Sequence, residues 1–113
     1  MVSVRDVIEQ GDYEAFAAAL APDVVWVGLL PGQLCRSRDE VLATFRGALE
    51  AGYTGRFEIV AETEDMYVVD PHVEPPLEVN PDLHQVFVFD EEHIIELRDF
   101  RDRRSALEAV GLA

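Results

Sequence analysis

An α+β architecture is expected from three features of this sequence. Helical apolar stripes gather in the first half, and period-two alternation rules the second. The 113 residues leave room for one domain, 1–113, with one core. Helices followed by an antiparallel meander form an α+β arrangement, in which the sheet covers its inner face with the helices.

The elements follow in order. "SVRDVIEQG" offers Ser3 as N-cap, Asp6 in the capping-box position and Gly11 as the stop. "DYEAFAAALAP" follows at once, with Asp12 as cap, a helical stripe of Tyr13, Phe16, Ala17 and Leu20, and Pro22 as terminator. The β-branched and aromatic run "DVVWVGLL", residues 23–30, reads as a strand bounded by Pro22 and Pro31-Gly32. "SRDEVLATFRGALEAG" opens on a capping box, Ser37 and Glu40. It carries the stripe Val41, Leu42, Phe45, Ala48 and Leu49, and closes at Gly52.

From Tyr53 onward the chain alternates. "TGRFEIVAET", "MYVVD", "LHQVFVFD" and "HIIELRDF" read as four strands. The proline-rich "PHVEPPLEVNPD" cannot pair in a sheet interior and is expected to be a loop or irregular edge. A last helix over residues 103–110 is capped by Asp102. In the third strand of the meander Val86 and Val88 lie on one face, Phe87 and Phe89 on the other. Both faces therefore need cover, and a second copy of the chain paired through the outer sheet face would supply it.

Composition narrows the partners. A net charge of −14 argues against nucleic acid and anionic membrane. The opening "MVSVRDVIEQ" is charged and lacks the apolar run of a signal peptide. The single Cys35 fits a reducing cytoplasm. His72, His84 and His93 lack metal-ligand spacing, and there is no glycine-rich phosphate loop. Neither a metal nor another cofactor is expected.

The element order, with "DVVWVGLLPGQLCRSRDEVL" and "HIIELRDFRDRRSALEAVGL" in their places, resembles the SnoaL-like branch of the nuclear transport factor 2-like superfamily. The resemblance spans nearly the whole chain. It implies a cone-shaped, curved antiparallel sheet wrapped around N-terminal helices, an apolar pocket inside, and dimers paired through the outer sheet face. Members of that superfamily include polyketide cyclases, limonene epoxide hydrolase and ketosteroid isomerase. Shared fold does not carry shared chemistry.

The last strand sharpens the comparison. Ile95, Leu97 and Asp99 alternate onto one face, so a carboxylate ends an apolar row. "LRDFRD" stands where limonene epoxide hydrolase has Trp-Arg-Asp-Tyr-Phe-Asp, which matches Asp99 to that enzyme's catalytic aspartate and Asp102 to its helix cap. The remaining groups of that enzyme are not matched. Asp70 and His72 stand in place of its arginine and second aspartate, and Trp26 and Gly28 in place of its tyrosine and asparagine.

Asp99, Asp70 and His72 are the candidate acid/base groups, since a carboxylate and an imidazole poised together move protons near neutral pH. The plainer alternative points Asp70 and His72 to water beside Pro71. Trp26, Tyr53 and Leu97 are candidate pocket walls, and an aromatic at such positions also serves as ordinary core. Gln85 depends on the turn at "FDEEHI". A two-residue loop puts His84 on the side of Asp99, whereas a bulged three-residue turn puts Leu83 and Gln85 there and sets Glu92 where glycine is preferred. The resemblance favours the second register. The resulting expectation is a small hydrophobic molecule in an apolar pocket, handled by a cofactor-free isomerase, cyclase or hydratase with Asp99 as acid or base. The alternatives are a non-catalytic binder and a dimeric interaction domain.

Overall fold

The computed structural model describes residues 4–11, 13–78 and 80–112. The expected Ser3 and Asp12 caps lie outside the described residues. Helices α1 (Val4–Gln10) and α2 (Tyr13–Ala19) meet at Gly11, whose φ of +69° suits a residue without Cβ. They are followed by β1 (Leu20–Val27), β2 (Leu34–Cys35), α3 (Arg38–Glu50), β3 (Thr54–Glu62), β4 (Met66–Glu74), β5 (His84–Phe89), β6 (Ile94–Phe100) and α4 (Arg103–Ala109).

The strands form one curved, unclosed sheet in the order β2-β1-β6-β5-β4-β3. β3 to β6 are the antiparallel meander, but β1 joins β6 in parallel, so the sheet is mixed rather than wholly antiparallel. A parallel neighbour needs a long crossover, and the whole segment from β2 to β5 supplies it.

Several boundaries differ from the sequence expectation. α2 stops at Ala19, and Leu20 already pairs with Ile94 in β1. Pro22 therefore lies within the strand, in the irregular stretch between the Leu20 and Val25 pairings, where its missing N–H disrupts no ladder bond. β2 was not expected; it hairpins back so that Cys35 pairs with Trp26. β4 continues through Pro71 and His72 to Glu74, paired only with β3 there, because its bonds to β5 end at Val69. Only the remainder of the proline-rich segment is a loop.

The turn after β5 takes the second register: Gln85 pairs with Asp99, and His84 with Phe100. The slip is absorbed by a bulge between the Val88–Glu96 and Phe89–Ile94 pairings. Among the described residues no non-glycine has positive φ, so Glu92 carries no backbone strain. The bulge also changes the apolar row. Ile94 and Leu97 are fully buried, whereas Ile95 is 38% exposed and leaves the row expected for it.

The inner sheet face closes on α1, α2 and α3 around Ile8, Phe16, Val41, Val69, Phe87 and Leu97. An ion pair of 2.7 Å from Arg5 on α1 to Glu62 on β3 ties one rim. On the outer face α4 lies over Val68 and Val86 and buries Ala106 against them. Asp102 caps α4 as expected, accepting from the Ser105 N–H at 2.8 Å. Val86 is consequently only 3% exposed in one chain, and the strand faces alone do not call for a second copy.

Candidate functional site

Between the concave sheet face and the helices lies a cavity of about 460 Å³. Its walls are mostly aromatic and aliphatic. Trp26 from β1 stacks on Phe45 of α3, with ring centroids 5.0 Å apart, and Phe45 meets Phe16 edge-on at 5.3 Å. Phe57, Pro71 and Val73 line the opposite side, from β3 and β4. Leu77 and Leu83 border it from the proline-rich loop and its end. The C-terminal half of α3 overhangs this space. Ala48 and Leu49, expected in the core stripe, therefore line the cavity instead, and Leu49 is 49% exposed.

Trp26, Tyr53 and Gln85 stand at the cavity wall. Leu97 does not; it is fully buried in the core behind the wall. Asp99 sits behind Trp26 and Gln85. Its Oδ1 accepts from Trp26 Nε1 at 2.8 Å and from Gln85 Nε2 at 2.8 Å. Burial pushes the Asp99 carboxyl above the usual aspartate range, opposed in part by these two hydrogen bonds, which favour the charged form. Such a carboxyl can hold or release a proton closer to neutral pH than an exposed one.

Asp70 and His72 are not brought to Asp99. Gln85 pairs with both Val69 and Asp99, and Val69 is in the inner core. Alternation then sends Asp70 and His72 to the other face of β4, the one shared with Val68 under α4. There they join a separate polar cluster. His72 Nε2 lies 2.7 Å from Glu58 Oε1, a bond that holds the Glu58 carboxyl below its usual range. The Arg103 guanidinium is 3.6 Å from Asp70 Oδ2. Buried His84 hydrogen-bonds the Asp82 carbonyl through Nδ1 at 2.7 Å and accepts from Arg103 Nε at 3.2 Å.

Among the described residues, Glu58, Asp70 and His72 are the set whose ligand atoms lie within 4.8 Å of one another, close enough to share a cation. Histidine spacing along the chain could not reveal it, because the set is assembled across two paired strands. Two further residues of the sites gave weak sequence signals. In the sequence Tyr13 is one position of an apolar helical stripe, although a buried tyrosine hydroxyl needs a partner. In the sequence Arg103 marks only the start of the last helix.

Comparison with known proteins agrees with this fold. A family model described as the SnoaL-like domain matches residues 3–99. A putative polyketide cyclase from Sinorhizobium meliloti is similar at a TM-score of 0.64 and 21% identity, over 84% of this chain and 87% of that one. An NTF2-like protein of unknown function from Burkholderia pseudomallei gives 0.61 and 21%, over 94% and 90%. Another from Cytophaga hutchinsonii gives 0.63 and 14%, over 85% and 90%. At such identities the likeness is one of fold. A search of the curated proteins finds no match. Among the described residues no helix is long and apolar enough to cross a membrane. With the family model covering residues 3–99, the chain belongs to the SnoaL-like domain family, and its fold is the one seen in NTF2-like structures.

Proposed function

We propose that this chain binds a small, largely hydrophobic molecule in its inner cavity and does so without a cofactor. The supporting observation is the cavity itself. Its volume of about 460 Å³ falls inside the range of small-molecule sites, roughly 300–1,000 Å³. Its walls are mainly aromatic and aliphatic, with Trp26, Phe45 and Phe57 prominent, and the polar groups among them are those of Tyr13, Thr44, Tyr53, Thr54, Arg56 and Gln85. Filling such a space with apolar atoms removes both partners' hydrophobic surface from water.

A second reading makes the chain a cofactor-free isomerase, cyclase or hydratase with Asp99 as acid or base. The raised pKa of Asp99 favours it, as does the match of Asp99 to the catalytic aspartate of limonene epoxide hydrolase. Asp70 and His72 take no part in either reading at this cavity. Binding ranks first because Asp99 is not itself among the residues that line the cavity, and its Oδ1 is engaged by two that are, Trp26 and Gln85. We also infer a homodimer through the outer sheet face, in line with the family, and a cytoplasmic setting from the single Cys35.

A thermal-shift screen of small hydrophobic compounds tests the binding function. A ligand at a hundred times its Kd stabilises the native state by about 2.7 kcal/mol. Ala48→Phe, which fills the cavity from an exposed helix position, should abolish the rise in Tm. Hits that stabilise this variant as well as the parent would contradict binding in the cavity.

A further inference from the structure

Given the binding function proposed above, the polar contacts of the bound molecule can be specified. Two buried side-chain atoms among the described residues have no hydrogen-bond partner within the protein: Gln85 Oε1 and the Tyr13 hydroxyl. Both residues line the inner cavity, Tyr13 from α2 and Gln85 from β5. Gln85 is 3% exposed, so bulk water does not readily compensate its oxygen.

The orientation of the Gln85 amide is dictated by Asp99. Trp26 Nε1–H can only donate, and it donates to Asp99 Oδ1 at 2.8 Å. In the ionised carboxylate Oδ1 can only accept. The Gln85 atom 2.8 Å from Oδ1 must then be the NH2 nitrogen, since an oxygen there would leave two acceptors in contact. Gln85 Oε1 is left as a covered acceptor without a partner, in a residue that lines the cavity. Tyr13 offers a hydroxyl that both donates and accepts.

We propose that Gln85 Oε1 and the Tyr13 hydroxyl are the polar contacts of the bound molecule, and that Asp99 is a positioning residue that orients Gln85. The ligand class is a mainly hydrocarbon ring compound with a hydroxyl or amide N–H aimed at Gln85 and a second oxygen that meets Tyr13. A pure hydrocarbon of the same shape leaves both groups unpaired and is discriminated against.

Calorimetric titration of the full chain with naphthalene, β-naphthol, the methyl ether of β-naphthol and a dihydroxynaphthalene tests this. β-Naphthol should bind roughly ten-fold tighter than naphthalene and than the methyl ether, which lacks the donor. Gln85→Met should erase that preference. Tyr13→Phe should erase only the extra affinity of the dihydroxy compound. Asp99→Asn should retain the preference, because its amide oxygen accepts the same two N–H bonds, whereas Asp99→Ala should lose it as the Gln85 amide becomes free to turn.

Equal affinities for naphthalene and β-naphthol would overturn this ligand class while leaving the binding function standing. No binding of any of the four compounds would overturn both. Loss of the preference in Asp99→Asn would overturn the positioning role. Should Gln85→Met or Asp99→Ala fail to fold by circular dichroism, the compound series on the parent chain and on Tyr13→Phe still decides the ligand class.

Discussion

Gln85 and Asp99 face each other across β5 and β6, and the Gln85 amide donates to Asp99 Oδ1 at 2.8 Å. Gln85 forms part of the cavity wall, whereas Asp99 is half-buried beside it and does not itself line the cavity. The pairing exists because the hairpin between the strands slips by one residue at a bulge. In the alternative register His84 would stand opposite the carboxylate.

Asp99 makes stability depend on pH with a definite sign. Its folded-state pKa is raised by burial, so between the ordinary aspartate pKa and the folded value the native chain holds more proton than the unfolded one. Stability from this group falls as pH rises through that window and levels off above it. Asp99→Asn lacks the charge, so its stability relative to the parent should grow across the same window and be equal or better near pH 7. Urea denaturation of both chains from pH 3 to 8 measures the difference. A difference that shrinks with rising pH would show that the charged carboxylate is stabilised instead.

The cover supplied by α4 leads to a prediction about assembly. Val68, Val86 and Ala106 are already buried together within one chain, so the proposed outer-face dimer should not be needed for folding. Sedimentation velocity should show a dimer that dissociates on dilution while circular dichroism stays unchanged. Leu107→Ala, at the half-buried edge of this cluster, should cost stability in the monomer, on the order of 2 kcal/mol. A chain that is monomeric at all concentrations would remove the dimer, and a chain that unfolds on dilution would show that α4 alone does not close the face.

The Glu58, Asp70 and His72 cluster has its donors engaged. His72 Nε2 bonds Glu58, and the Arg103 guanidinium stands beside Asp70. A cation there would have to displace the guanidinium and break the His72–Glu58 bond. Added Zn²⁺ should therefore leave the Tm unchanged. A chelator-reversible rise that is lost in His72→Ala would contradict this and make the cluster a metal site.

Much of this arrangement was legible in the sequence, because repeating patterns report which face a residue takes. The capping box of α3, the Asp102 cap of α4, the alternation of β3 to β6 and the glycine stops all correspond to elements of the fold. The bulges were not legible. Ile94 and Ile95 are chemically alike, so nothing in the order of residues says which is skipped when the register shifts. β2 spans only two residues, too few for any period. The site was half legible for a related reason. Trp26, Tyr53 and Gln85 stand at the cavity wall, whereas strand alternation separates Asp70 and His72 from Asp99 because β4 continues past Pro71, which the prolines of that segment conceal.

The chain contains one tryptophan, and it reports directly on the central claim. The Trp26 ring lines the cavity, and its indole N–H bonds Asp99, so a single indole cross-peak in a ¹H–¹⁵N spectrum monitors the site. Titration with a compound that raises the Tm should move this peak saturably in the parent chain and leave it unmoved in Ala48→Phe. A compound that raises the Tm of the parent while the Trp26 peak stays in place would show that small molecules bind elsewhere, and the cavity would not be the functional site.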